Sequence, residues 1–208
     1  MEIFSGENLV ALIKAAGLLG LFAIVFAESG LLIGFFLPGD SLLFTAGFLA
    51  SQGYFDIVVL VLLVFIAAVS GDSVGYAFGK KVGKKLFNKE DSFFFKKANL
   101  LKAEAFYKKY GVKTIVLARF IPIVRTFAPI VAGAGDMHYK TFVSYNVIGG
   151  FLWTFGMTLG GYFLGSIIPD VDKYLLPIIL LIIFFSVLPP IVEFIKEKQK
   201  KKQAPTIS

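Results

Sequence analysis

The sequence has no cysteine, a single histidine and little charge for its length. Asp, Glu, Lys and Arg make up 17% of its 208 residues, against about 25% in soluble domains. Without cysteine there is no disulfide, no thiolate nucleophile and no cysteine-bound metal. His138 alone cannot build a multi-histidine metal site or a histidine-dependent phosphatase pair. The first seven residues carry two Glu and neither Lys nor Arg, so they lack the basic start of a secretory signal. The net charge is +7, which could suggest a nucleic-acid surface. The lysines argue otherwise, because they are segregated. Of 21 Lys and Arg residues, 11 fall between Lys80 and Lys113 and five between Lys196 and Lys202. Both clusters adjoin apolar runs, where basic residues orient a chain in a bilayer. Apolar residues make up 57% of the chain, above the 45–50% usual for soluble domains. The sequence reads as an integral membrane protein.

A helix needs about 20 apolar residues to cross the hydrocarbon core. Residues 57–78, 142–168 and 174–195 meet that requirement. The second is uncharged and carries Gly149, Gly150, Gly156, Gly160 and Gly161, which suits close helix packing in lipid. Two further apolar stretches are interrupted. Residues 9–51 contain Lys14, Glu28 and the turn Pro38-Gly39-Asp40, and residues 114–134 contain Arg119, Pro122, Arg125 and Pro129. Charges at the centre of a lone membrane helix cost about 2.5–3.5 kcal/mol each. Irregular backbone at that depth survives only when buried in protein or lining a wet cavity. Both stretches are therefore expected to be re-entrant hairpins, broken at Pro38, Gly39, Pro122 and Pro129.

The lysine-rich loop 80–113 is expected on the cytoplasmic side, and so is the basic tail 196–208. Within the loop, residues 103–110 suggest an interfacial helix. Between loop and tail, spans 142–168 and 174–195 run out and back. An internal repeat agrees with this topology. At an offset of 86, Gly47 matches Gly133, Gly75-Tyr76 matches Gly161-Tyr162, and Gly79 matches Gly165. At an offset of 91, residues 20–28 match residues 111–119, so Glu28 aligns with Arg119. The expected architecture is all-α and forms one membrane domain, 1–195. Repeat 1 covers about 17–79 and repeat 2 about 111–168, each a hairpin followed by a span and in opposite orientation, with a last span at 174–195. Inverted repeats with broken helices are characteristic of transporters.

One hairpin thus holds two acids, Glu28 and Asp40, and the other two arginines, Arg119 and Arg125. They admit two readings. The four can be ion pairs that lock the hairpins together, although buried pairs often fail to repay their desolvation. Alternatively they form an anion site, since a guanidinium stays charged and grips a phosphate through two parallel hydrogen bonds. Protonation of Glu28 or Asp40 would then free an arginine and couple the site to the proton gradient. Asp72, toward the end of its span, either caps a helix, balances Lys80 or lies on a substrate path. Asn146 and Trp153 share one face of the next span and are candidates for the same path. No cofactor, metal or enzymatic activity is expected.

Arg119-Phe120-Ile121-Pro122-Ile123-Val124-Arg125, followed by Ala132-Gly133, resembles a signature of the DedA family, also called the VTT or SNARE-associated Golgi protein family. Glu28-Ser29 with Pro38-Gly39-Asp40 is similar to its first motif. Gly71-Asp72…Gly75-Tyr76…Gly79-Lys80 is similar to its second, and Asn146…Gly149…Trp153 to its last. Ile123 stands where the family often has Gly. The resemblance covers about residues 15–170 and implies a bacterial inner-membrane protein that moves lipids. Undecaprenyl phosphate, returned to the cytoplasmic face, is the first candidate substrate. Phosphatidylethanolamine flipping, phospholipid scrambling and proton-coupled antiport of small ions or drugs are alternatives. The resemblance further implies essential roles for Glu28, Asp40, Arg119 and Arg125, and a link to the proton motive force. The expected partners are phosphate-headed lipids and protons, with no nucleic acid.

Overall fold

The computed structural model describes residues 6–31, 39–82 and 97–167. Within these it is helical, with no strand among the described residues. The elements are α1 (Gly6–Gly30), α2 (Gly39–Ser51), α3 (Ile57–Val82), α4 (Lys97–Tyr110), α5 (Thr114–Leu117), α6 (Pro122–Ala134) and α7 (Tyr139–Ile167). Short 3₁₀ turns flank α5, at Gly111–Lys113 and Ala118–Phe120. The expected last span, 174–195, the tail, and Pro38 lie outside the described residues.

Two helices, α3 and α7, are long and apolar enough to cross a membrane. Each begins near its expected position, and α3 runs four residues beyond the expected end at 78. Their outer faces expose Val58, Leu62 and Ile66 on α3, and Ile148, Phe151 and Leu152 on α7. Such faces suit hydrocarbon. Inward, Leu60, Val64, Ala67 and Ala68 of α3 join Val25 of α1, Leu43 of α2 and Trp153 of α7 in one core.

α1 starts at Gly6, well before the expected start of repeat 1 near residue 17. No proline lies between Gly6 and Gly30, so a lone lysine at position 14 does not interrupt the backbone bonding. At 1.5 Å per residue its 25 residues extend about 37 Å. The corresponding arm in the second half is short and irregular, α5 followed by a 3₁₀ turn. It ends at Ile121, which is extended (φ −126°, ψ 104°). A residue before proline is driven out of the helical region, and proline is well suited to a first helical turn. Ile121–Pro122 is therefore the break.

Pro129 does not break the chain as expected. It lies inside α6, which is continuous from Pro122 to Ala134. Its ring removes the donor that would bond the Arg125 carbonyl. Its Cβ faces Gly75 of α3 at a place where a methyl on the glycine would approach to 3.4 Å. The ring thus packs where α3 presents no side chain.

Four glycines set the helix pairing. A methyl group on Gly47 of α2 would overlap the Thr158 carbonyl of α7, and one on Gly161 of α7 would overlap that of Phe44 in α2. The other pair of helices repeats this arrangement. A methyl on Gly133 of α6 would overlap the Tyr76 carbonyl of α3, and one on Gly79 of α3 would overlap that of Ile130 in α6. Small residues permit this backbone approach in lipid, where there is no hydrophobic force between helices. By packing role α2 corresponds to α6 at an offset of 86, as the sequence suggests. However, α3 corresponds to α7 at 82, because Gly79 takes the part of Gly161. The sequence match of Gly75 with Gly161 is thus one helical turn out of register with the packing.

α4 covers the expected helix at 103–110 and extends it to Lys97. It is not free at the interface, for Ala103 is fully buried and packs with Phe127 and Val131 of α6.

Candidate functional site

Arg125 lies one turn inside α6, where its own N–H bonds the Ile121 carbonyl at 2.9 Å and fixes it just beyond the break. Its guanidinium divides between two helices. Nη1 donates to Asp40 Oδ1 of α2 at 2.9 Å, and Nη2 donates to Glu28 Oε1 of α1. Glu28 has no exposed surface, whereas the Asp40 side chain is 48% exposed. The other Glu28 oxygen lies against Gly39, where any side chain would overlap the carboxylate. Gly39, expected only as a turn residue, is thus also the space into which Glu28 fits.

Trp153 of α7 closes this group. Its Nε1 donates to Asp40 Oδ1 at 2.7 Å. Its ring centre lies 4.7 Å from Cζ of Arg125 and 5.9 Å from Cζ of Arg119. Both distances are within cation–π range, and the interaction strengthens when water is excluded.

Arg119 sits on the 3₁₀ turn that follows α5 and is buried. Its partners are different. Nη2 donates to Asp72 Oδ2 of α3 and to Asn146 Oδ1 of α7. Asn146 in turn donates through Nδ2 to the Val69 carbonyl of α3 at 2.9 Å. That second bond fixes which way the amide faces, so its oxygen is held toward the arginine. Room for the side chain comes from α7. A methyl on Gly149 would lie 3.1 Å from Arg119 Cδ and 3.3 Å from its Nε. Three buried atoms here, Arg119 Nε, Arg119 Nη1 and Asp72 Oδ1, have no hydrogen-bond partner among the described residues.

The structure therefore gathers Glu28 and Asp40 on Arg125, and Asp72 and Asn146 on Arg119, with both arginines facing Trp153. The repeat alignment made Glu28 the counterpart of Arg119 in sequence and assigned no ion pair between particular residues. Glu28 and Asp40 both go to Arg125, and Arg119 takes Asp72. Asp72 neither caps α3 nor balances Lys80, because it lies mid-helix and faces inward. Pro122 and Gly39 each begin a helix, as breaks do, whereas Pro129 does not. Sequence reasoning treated Gly149 as a packing residue and missed that it makes room for Arg119. The signal available was its place three residues after Asn146.

Residues 37–163 match the VTT domain family model. The chain is 50% identical over 186 residues to the protein DedA of Escherichia coli K12, covering 88% of this chain and 84% of that one. It is 45% identical over 193 residues to an uncharacterized membrane protein of Mycobacterium tuberculosis, covering 92% and 84%. To the inner membrane protein YqjA of Escherichia coli K12 it is 34% identical over 171 residues, covering 78% and 77%. No solved structure matches it.

Proposed function

This chain belongs to the VTT-domain, or DedA, family of membrane proteins, and from that premise we propose that it carries a phosphate-headed lipid across the bacterial inner membrane. The lipid proposed is undecaprenyl phosphate, returned to the cytoplasmic face. One observation supports this above others: two guanidiniums share a single aromatic ring inside a protein whose outer faces are apolar. A lipid translocase must shield one phosphate charge while the tail stays in hydrocarbon. Buried arginines supply the counter-charge and paired donors for that purpose. Carboxylate partners that can take up a proton supply the means of release. In this reading α1–α3 and α5–α7 are inverted repeats, and the loop 80–113 and the C-terminus are cytoplasmic. The reciprocal glycine contacts of α2 with α7 and α6 with α3 support the repeat. A site between two such halves can open alternately to each side.

The test is translocation in proteoliposomes loaded with undecaprenyl phosphate or labelled phosphatidylethanolamine, with and without an imposed proton gradient. Faster movement of undecaprenyl phosphate alone, lost in Arg119→Ala and Arg125→Ala, supports the proposal. Equal movement of both lipids without a gradient would make the protein a scramblase. Movement of neither, with folded variants, would end the lipid reading in favour of small-ion antiport.

A further inference from the structure

The two arginines are not equivalent. Arg125 faces two carboxylates, Glu28 and Asp40, while Arg119 faces one, Asp72, through a single nitrogen. A charge count follows. Protonating one acid beside Arg125 leaves that group neutral, and an entering phosphate would still meet no net positive charge. Protonating Asp72 leaves Arg119 with a full uncompensated charge. One proton then admits one singly charged phosphate. The donors agree with the count: among the described residues Arg119 keeps two nitrogens, Nε and Nη1, buried and unbonded where Arg125 keeps only Nε, while Asp72 Oδ1 and Glu28 Oε2 are alike unbonded. Asn146, anchored to the Val69 carbonyl, would hold the guanidinium in place when Asp72 lets go.

We infer that Arg119 is the guanidinium that takes the lipid phosphate, that Asp72 is the acid displaced from it, and that Asn146 is a positioning residue. The inference rests on the lipid reading above and assigns roles within that site. The charged groups facing the Arg119–Asp72 pair are Arg125 of α6 and Glu28 of α1, with Asp40 of α2 beyond Trp153. α7 brings Asn146 and Trp153 to the pair, and its one charged residue, Lys140, is exposed in the first turn of the helix.

The chain's one tryptophan reports on the site directly. Purified protein in detergent is titrated with farnesyl phosphate between pH 5.5 and 8, following Trp153 fluorescence. One proton taken up with each ligand makes affinity fall about tenfold per pH unit. The ligand's own ionisation is common to all variants and cancels between their slopes. Asp72→Asn is expected to flatten the native slope by one proton, because Arg119 is released permanently. Asp72→Glu is expected to restore it, and Glu28→Gln to keep it. Asn146→Asp gives Arg119 a second acid, so its slope should steepen, which serves even if Asp72→Asn fails to fold. A native slope surviving in Asp72→Asn, or lost in Glu28→Gln instead, overturns the assignment while leaving the lipid reading intact. If Asp72→Asn does not fold, an unchanged slope in Asn146→Asp overturns it. No binding to native protein at any pH overturns the lipid reading, and the assignment with it.

Discussion

At the scale of the residue, Arg125 is where charge balance is most exposed to test. Arg125→Met would leave Glu28 buried without its cation. Breaking a buried pair from one side costs about 3–5 kcal/mol, so the thermal midpoint in detergent should fall sharply. Adding Glu28→Gln and Asp40→Asn should recover most of that loss and no transport. Recovery of transport would mean that the group is only a lock. Gly39→Ala should be similarly selective. Its methyl would overlap the Glu28 carboxylate, so transport in proteoliposomes should drop at least tenfold while the protein still inserts and purifies. Glu28, Asp40, Arg119 and Arg125 were legible in the sequence because charge within an apolar run is costly and needs a reason. Their pairing was not legible. It depends on which helix α3 turns toward α5, and a linear alignment of repeats carries no such information. Asp72 was obscured by its neighbourhood, since a Gly-Asp-Ser near a lysine looks like the end of a helix.

At the scale of the element, α3 and α7 were readable from length and apolarity alone, and the break before Pro122 from the restriction that proline places on its predecessor. The early start of α1 was passed over although no proline interrupts it, and the continuity of α6 was not legible, because it depends on what Pro129 packs against. The contrast yields a prediction for the glycines. Gly133→Val and Gly47→Val should each separate a helix pair, as overpacking costs typically 1–3 kcal/mol and meets backbone here rather than a movable side chain. Gly156, with open space around it, should accept Val with little change. Thermal unfolding of the three variants in detergent separates the classes. If Gly156→Val proves as damaging as the others, the packing described for α7 is wrong.

At the scale of the whole molecule, the natural absence of cysteine makes topology measurable without a prior stripping of thiols. Lys81→Cys and Lys108→Cys should react with an impermeant maleimide only from the cytoplasmic side, and Tyr54→Cys only from the other. Labelling of all three from one side would refute the orientation proposed. The exposed Lys108 pairs with the partly buried Glu104 at 2.8 Å on the surface of α4. Such pairs contribute about 0–1 kcal/mol, so the lysine substitutions should leave stability nearly unchanged.

The four reciprocal glycine contacts also bear on how this protein can change. Each glycine meets a backbone carbonyl, and a carbonyl cannot be substituted. A larger residue at Gly47, Gly79, Gly133 or Gly161 therefore has no partner side chain that could shrink to receive it. Selections for second-site suppressors of these four should return only true revertants or distant changes of general stabilising effect, whereas suppressors of changes at Glu28 or Asp72 have local routes open to them.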